Sequence, residues 1–270
     1  MHLQRDLPGS ETTDRSGTLL AEDVGRGMLM LFRQLFDHDS STYTYLLADE
    51  GTREALLIDP VLEQAERDLE VVSQLGLTLV HVLDTHVHAD HVTAATRLRE
   101  KTGARTVSGR AGAACADLHV DDGDVVRVGR VALRVLSTPG HTDDSVSYLL
   151  VDPDRADRPA DRVFTGDALL VRAAGRTDFQ NGDAGRLYDS ITGALFTLPD
   201  ATLVYPAHDY RGRTVTTIGE EKRWNERIAG RSRDEFIAVM NALHLPEPKR
   251  LREAVPANRA CGRTPMPVQG

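Results

Sequence analysis

The residues of this chain that are most able to do chemistry lie in one short segment. Residues 85–91 read Thr-His-Val-His-Ala-Asp-His, so four of the seven are metal ligands by type. The apolar run at 79–83 precedes them and predicts a buried strand. His86 and His88 would face the same side of an extended backbone, and Asp90 can cap a helix that begins at the next residue. Gathering such groups at a packed edge is costly unless something binds them, so the segment predicts a metal site.

Three later segments place one ligand-type residue just after a short apolar strand. These residues are His141, Asp167 and His208. Each signal is weak alone, because a turn aspartate is usually a cap and a histidine after Pro-Gly is usually solvated. Together and in this order, the four motifs resemble the metallo-β-lactamase superfamily. The resemblance implies an α/β fold: an αββα sandwich of two mixed β-sheets flanked by helices, with the metal at one edge of the sheets.

The pattern of apolar residues and turns predicts the elements that must position these side chains. Strands are predicted at 29–36, 43–48, 55–58, 79–83, 125–128, 131–136, 146–151, 163–165 and 203–204. Helices are predicted at 62–75, 184–196, 218–228 and 232–243, in addition to the one after Asp90. Three prolines (Pro246, Pro248 and Pro256) predict that the end of the chain wraps over the surface.

Length and composition indicate one globular catalytic domain at residues 28–270. The chain has 270 residues and a net charge of −9 without a basic run, which argues against nucleic acid as a partner. Residues 1–27 are polar and lack the apolar core of a signal peptide, and no segment predicts a membrane span. We expect this region to be a loose tail or, alternatively, a cover for the interface of a homodimer.

The two cysteines, Cys115 and Cys261, are too few for a disulfide framework. Cys115 lies in a small apolar stretch, so we expect a core residue rather than a nucleophile. The role of Cys261 stays open, and neither cysteine is placed as a metal ligand. The low count fits a reducing cytoplasm.

Four further segments resemble one family within the superfamily, the persulfide dioxygenases. They lie at 31–36, 58–61, 169–180 and 254–258, so the resemblance covers most of the chain. The run Gly-Arg-Thr-Asp-Phe-Gln at 175–180 is the most discriminating piece. The family binds one Fe(II) through two histidines and one carboxylate, and the matching residues here are His86, His141 and Asp167, which would be the metal-binding and catalytic set.

The remaining ligand-type residues allow two interpretations. They are His88, Asp90, His91 and His208. In the first interpretation they form hydrogen bonds that orient the iron ligands. In the second they help to hold a second metal.

The resemblance also suggests glutathione persulfide as the substrate. Arg176 and Arg227 could each hold a carboxylate in a charge-assisted fork, and Thr142 and Tyr210 could donate hydrogen bonds. The plainer alternative for Arg176 is an ion pair with a nearby aspartate, Asp178. The chain departs from the family in the Asp-Asp-Ser run at 143–145, whose negative charge could weaken binding of an anionic substrate.

The resulting hypothesis is an Fe(II)-dependent persulfide dioxygenase that converts glutathione persulfide, O₂ and water to glutathione and sulfite in sulfide detoxification. A separate sulfur-transfer enzyme is a candidate partner. The alternative is a glyoxalase-II-like thioester hydrolase with two zinc ions and a bridging hydroxide. It would use His86, His88 and His141 on one metal, Asp90, His91 and His208 on the other, and Asp167 between them. A metal-bound scaffold or sensor without turnover is the third possibility.

Overall fold

The computed structural model describes residues 30–152 and 160–263, so the predicted tail at 1–27 lies outside the described residues. Two six-stranded sheets form the centre of the fold. The first runs β1 (Met30–Asp37), β2 (Thr42–Asp49), β3 (Glu54–Ile58), β4 (Thr78–Leu83), β5 (Arg105–Gly109) and β6 (Leu118–Val120), in that order. The second runs β12 (Thr216–Thr217), β11 (Leu203–Pro206), β10 (Arg162–Gly166), β9 (Val146–Val151), β8 (Val131–Ser137) and β7 (Val125–Val128).

Both sheets are mixed. In the first, β1 to β3 pair antiparallel and β3 to β6 pair parallel. In the second, β10 and β11 are parallel and the other pairs are antiparallel. Alternate side chains from both inner faces meet in a shared core, in which Tyr45, Tyr148 and Phe164 are fully buried. Burying such a side chain stabilises the fold by roughly 1.5–3 kcal/mol, so this core fixes where the strands end.

Helices cover the outer faces of the two sheets. They are α1 (Ala65–Gln74, after a 3₁₀ turn at Leu62–Gln64), α2 (Ala95–Thr102), α3 (Ala184–Ser190, continued by a π-helical turn at Ile191–Leu195), α4 (Ile218–Trp224), α5 (Arg233–Asn241) and α6 (Leu251–Arg259). α1 and α2 pack on the first sheet, and α3, α4 and α5 pack on the second. The predicted αββα sandwich of mixed sheets is therefore confirmed.

Several local predictions were wrong. The helix predicted to start at His91 starts at Ala95, because the Asp90 carboxylate bonds histidine rings instead of capping a helix. β5, β6 and β12 were not predicted, because they are short and form strands only through pairing with neighbouring strands. The C-terminal segment is not only a surface wrap, because α6 contains Pro256 and buries one face against the domain.

The cysteines also differ from expectation. Cys115 is half-buried rather than a core residue, and it forms a disulfide with Cys261 across a sequence separation of 146 residues. Within residues 30–152 and 160–263, no helix combines the length and the apolar character needed to cross a membrane.

Candidate metal centre

The strand ends bring the predicted ligands to one edge of the two sheets. β4 ends three residues before His86, and Asp167 directly follows β10. His141 lies in the turn between β8 and β9, and His208 lies two residues after β11. Because β10 and β11 run parallel, their carboxyl ends meet at the same edge.

The three residues predicted to bind one metal lie together. His86, His141 and Asp167 each offer one ligand atom, and these atoms all lie within 4.8 Å of one another. Nε2 of His141 is 3.6 Å from Oδ2 of Asp167, and the two imidazole rings are 4.9 Å apart. Two imidazoles and one carboxylate on one face form the donor set of mononuclear non-haem Fe(II) sites, so the residues fit that group.

We refer to His86, His141 and Asp167 as the triad. Each of its two imidazoles has one ring nitrogen engaged by a group outside the triad. Nδ1 of His141 donates to the Arg176 carbonyl oxygen at 2.7 Å, which leaves Nε2 as the unprotonated nitrogen that faces Asp167. Nδ1 of His86 lies 3.0 Å from the Thr85 hydroxyl. Burial, with the neighbouring imidazoles of His88 and His141, lowers the pKa of His86 well below its usual value. The neutral ring is the form that binds a metal.

A second group of ligand-type residues lies beside the triad. Ligand atoms of His88, Asp90, His91 and His208 also lie within 4.8 Å of one another. Oδ2 of Asp90 is 2.9 Å from Nδ1 of His91 and 2.9 Å from Nε2 of His208. The other nitrogen of His208 lies 2.6 Å from Oδ1 of Asp167. The group therefore holds the carboxylate of the triad by one oxygen and leaves Oδ2 free.

The charge on His208 follows from these two carboxylates. Burial opposes the protonated ring, but Asp167 and Asp90 outweigh burial and raise the pKa of His208 well above its usual value. The same contact holds the pKa of Asp167 below its ordinary range despite the burial of that carboxyl. A charged His208 therefore keeps Asp167 ionised, as a metal ligand must be.

Two buried carboxylates outside the triad fix the backbone segment that carries His86. Asp59 accepts from the Thr85 amide at 2.7 Å and lies 3.1 Å from Nε2 of His88. Burial lowers the pKa of His88, but the Asp59 charge outweighs burial and raises it to about 9. Asp144 accepts from the Val87 amide at 2.8 Å. The Asp144 carboxylate is therefore turned toward the backbone at Val87, and the effect of the 143–145 run on substrate binding stays a prediction.

The run at 175–180 wraps around His141, one of the predicted metal ligands. A Cβ atom on Gly175 would lie 2.3 Å from the Asp167 carbonyl oxygen and 2.7 Å from Nδ1 of His141. Only a glycine fits this approach. Phe179 meets the His141 ring edge-on at 6.1 Å, and the Gln180 amide donates to the Val87 carbonyl at 2.7 Å. The run thus connects two parts of the metal centre.

A cavity of about 490 Å³ opens onto the triad. Its walls include His141 and Asp167, together with three of the residues predicted to contact substrate, namely Arg176, Tyr210 and Arg227. The outer rim is the segment 245–249. The fourth predicted contact, Thr142, is fully buried outside this lining, and its hydroxyl lies 2.6 Å from that of Ser145. Contact between Thr142 and a substrate would require this turn to open.

The Arg176 guanidinium has several partners. It donates to both Asp178 oxygens at 2.7 Å, as the plainer alternative predicts. It also donates to the carbonyl oxygens of Pro246 at 2.6 Å and Leu245 at 3.3 Å. Arg176 therefore joins the outer rim of the cavity to the segment that orients His141.

Arg227 and Tyr210 line the same cavity differently. Arg227 donates to the Ala174 carbonyl, and burial lowers the pKa of its guanidinium. Tyr210 is 71% exposed and lies parallel to the His208 ring at 6.2 Å. Both side chains can therefore be reached from the cavity.

Sequence reasoning gave no role to Asp59 and Asn258, and it did not predict that Asp144 holds the Val87 amide. Asp59 carried a usable signal, because it follows the apolar strand β3 as Asp167 follows β10. Asn258 donates to the carbonyl oxygens of His88 and His91. The contact with His88 spans 170 residues of sequence, so no local sequence pattern could predict it.

The chain is similar to known proteins over most of its length. Residues 39–114 match the metallo-beta-lactamase superfamily. The "Persulfide dioxygenase ETHE1, mitochondrial" of Bos taurus is 48% identical over 92% of this chain and 94% of its own length, and the human protein of that name is 48% identical over 90% and 93%. The crystal structure of ETHE1 from Myxococcus xanthus is 65% identical, with a TM-score of 0.82, and covers 86% of this chain and 100% of its own. The chain belongs to the ETHE1 family of persulfide dioxygenases within the metallo-β-lactamase superfamily.

Proposed function

We propose that this protein oxidises glutathione persulfide with O₂ and water to glutathione and sulfite, using one Fe(II) held by His86, His141 and Asp167. The observation that carries the proposal is the arrangement of two histidines and one carboxylate whose ligand atoms lie within 4.8 Å of one another, with His141 and Asp167 lining the cavity. The names of the relatives support the persulfide and O₂ as reactants. The donor set supports the choice of iron.

The protein side chains have defined tasks in this proposal. When bound, iron would supply the redox chemistry that side chains cannot, by mediating the transfer of electrons from the persulfide sulfur to O₂. The Arg176 carbonyl holds the His141 tautomer, and His208 holds one oxygen of Asp167. Asp59 and Asp144 fix the backbone from Thr85 to Val87, and with it the direction of His86.

The cavity also suits the rest of the substrate. Its volume of about 490 Å³ lies within the range of small-molecule sites. We propose that Arg227 pairs with one carboxylate of glutathione and that Tyr210 donates a hydrogen bond to the substrate. Arg176 lines the cavity, and we propose that its guanidinium takes the second carboxylate in exchange for Asp178.

A dinuclear hydrolase is the second candidate function. The buried Nδ1 of His88 and Nε2 of His91 have no hydrogen-bond partner within the described residues, which favours a second metal. Against this, both ring nitrogens of His208 are engaged by carboxylates, Nδ1 by Asp167 and Nε2 by Asp90. A second metal could bind His208 only by breaking one of these contacts.

Turnover assays separate the two functions. We expect glutathione persulfide to consume one O₂ for each sulfite formed, because the reaction places both oxygen atoms and one from water on a single sulfur. Anaerobic samples should form no sulfite. Hydrolysis of a glutathione thioester without O₂, at a rate that matches or exceeds persulfide turnover, would instead support the hydrolase.

A further inference from the structure

The motif Ala-Val-Pro-Ala-Asn at 254–258 lies on α6, outside the triad and the lining of the cavity. We propose that Asn258 is a positioning residue that holds the backbone of the ligand loop at 88–93, so that metal affinity depends on the C-terminal helix. This inference rests on the proposed metal site. It goes beyond that site because Asn258 lies 91 residues after Asp167 in a different element.

Both the nitrogen and the oxygen of the Asn258 side-chain amide form hydrogen bonds with the loop. Nδ2 donates to the carbonyl oxygens of His88 at 2.9 Å and His91 at 2.8 Å, and Oδ1 accepts from the Thr93 amide at 2.8 Å. The side chain is 3% exposed. Aspartate could not make both donations, because an ionised carboxylate only accepts. The three contacts therefore require an asparagine.

The loop needs such a partner because its backbone is irregular. Residues 84–94 lie between the end of β4 and the start of α2. Separate segments supply partners for this backbone, because Leu62 donates to the Val92 carbonyl and Ala94 donates to the Pro60 carbonyl. Leaving a buried carbonyl without a partner is costly, because the group has lost its hydrogen bonds to water. The side chains of His88 and His91 are fully buried, so the loop cannot turn these groups to water without exposing the rings.

Contacts connect this loop to the triad on two paths. His86 lies two residues before His88, so movement of the loop moves a ligand directly. Between His88 and His91, Asp90 binds His208, which holds Asp167. A displaced loop would therefore alter two of the three ligands.

α6 is anchored well enough to act as a support. Ala254 and Ala257 are fully buried against Val92 of the loop. Just beyond the helix, the Cys261 carbonyl accepts from the Thr96 amide at 3.1 Å and from its hydroxyl at 2.6 Å, and Cys261 is bonded to Cys115. α6 is therefore anchored on both sides of Asn258, at Ala254 and Ala257 before it and at Cys261 after it.

The test uses cobalt(II) added to metal-free protein, because its visible absorption reports ligand geometry whichever metal is native. Asn258→Ala should weaken cobalt affinity by about 10–100-fold, the usual effect of removing a group that orients ligands, and should speed amide hydrogen exchange at 86–93. The matched control is Asn225→Ala. Asn225 is equally buried and its side chain also makes three hydrogen bonds, to Ala173, Glu221 and Arg227. This control should lose stability but keep wild-type cobalt affinity.

Two results would overturn the inference: a folded Asn258→Ala protein with wild-type cobalt affinity and exchange, or equal loss of affinity in both variants. If Asn258→Ala does not fold, Asn258→Asp retains the acceptor for Thr93 and loses only the two donors. It should show the same weakened affinity, and unchanged affinity would reject the proposal. Failure of the wild-type protein to bind cobalt would instead overturn the metal site itself, and this inference with it.

Discussion

The backbone of Arg176 and the ring of His141 are joined by a hydrogen bond of 2.7 Å, while the Arg176 side chain points to the rim of the cavity. One residue therefore orients a proposed metal ligand through its carbonyl and meets the rim at 245–246 through its guanidinium. A side-chain substitution separates these two roles, because it leaves the carbonyl in place.

Arg176→Ala should keep its metal and lose catalytic efficiency. A charge-assisted hydrogen bond to a substrate carboxylate is worth about 1.5–3 kcal/mol, so kcat/KM for glutathione persulfide should fall by about ten- to a hundredfold. Arg176→Lys should recover only part, because an ammonium cannot form the planar fork. Steady-state kinetics and metal analysis measure both effects.

A second substrate distinguishes between two roles of the Arg176 guanidinium: binding a glutathione carboxylate, or holding the rim segment at 245–246 in place. If Arg176 binds a glutathione carboxylate, a small persulfide without carboxylates should be turned over equally well by the wild-type protein and Arg176→Ala. An equal loss with both substrates would show that Arg176 acts by holding Leu245 and Pro246 in place.

Gly175→Ala tests the close packing behind the metal ligands. The added methyl group would meet the Asp167 carbonyl at 2.3 Å and the His141 ring at 2.7 Å, so the segment must shift. Such overpacking costs about 1–3 kcal/mol, and we expect a lower melting temperature and weaker metal binding. The control is Gly193→Ala, where a Cβ meets nothing within 4 Å. A Gly175→Ala protein that melts and binds metal as the wild type does would contradict this account.

The apolar strands predicted which ligand-type residues meet at the sheet edge better than they predicted the surroundings, and the family resemblance selected His86, His141 and Asp167 from them. His86, His141 and Asp167 each follow an apolar strand, and this local signal survives because the buried strands fix where their ends lie. Asp90 was misassigned because a capping aspartate and a carboxylate that binds distant histidines look alike in sequence. The partners that decide the matter, His208 and Thr42, come from elsewhere in the chain.

The Cys115–Cys261 disulfide is another contact between distant residues that the local sequence did not predict. Two isolated cysteines carry no pairing signal, and their contact depends on how α6 returns to the first sheet. Likewise, the motif at 254–258 was recognisable, but the role of Asn258 required the geometry of the loop it contacts.

Cys115→Ser should reduce the free energy of unfolding. A disulfide that closes a long loop typically contributes about 2–4 kcal/mol, mainly by restricting the unfolded chain. We expect a lower melting temperature for Cys115→Ser, with no further change on adding a reductant, whereas the wild-type protein should respond to the reductant. Wild-type melting that is identical in oxidising and reducing buffer would argue against a stabilising disulfide.

The central claim is that one metal, iron, is held by His86, His141 and Asp167, with His208 acting through Asp167. Elemental analysis of protein purified without added metal tests it most directly, performed in parallel on the wild type, His86→Ala and His208→Ala. We expect one iron per chain in the wild type, loss of iron in His86→Ala, and partial retention in His208→Ala, since removing a group that orients a ligand typically costs about 10–100-fold in affinity. Two zinc ions per chain in the wild type, or equal loss of metal in both variants, would contradict the account.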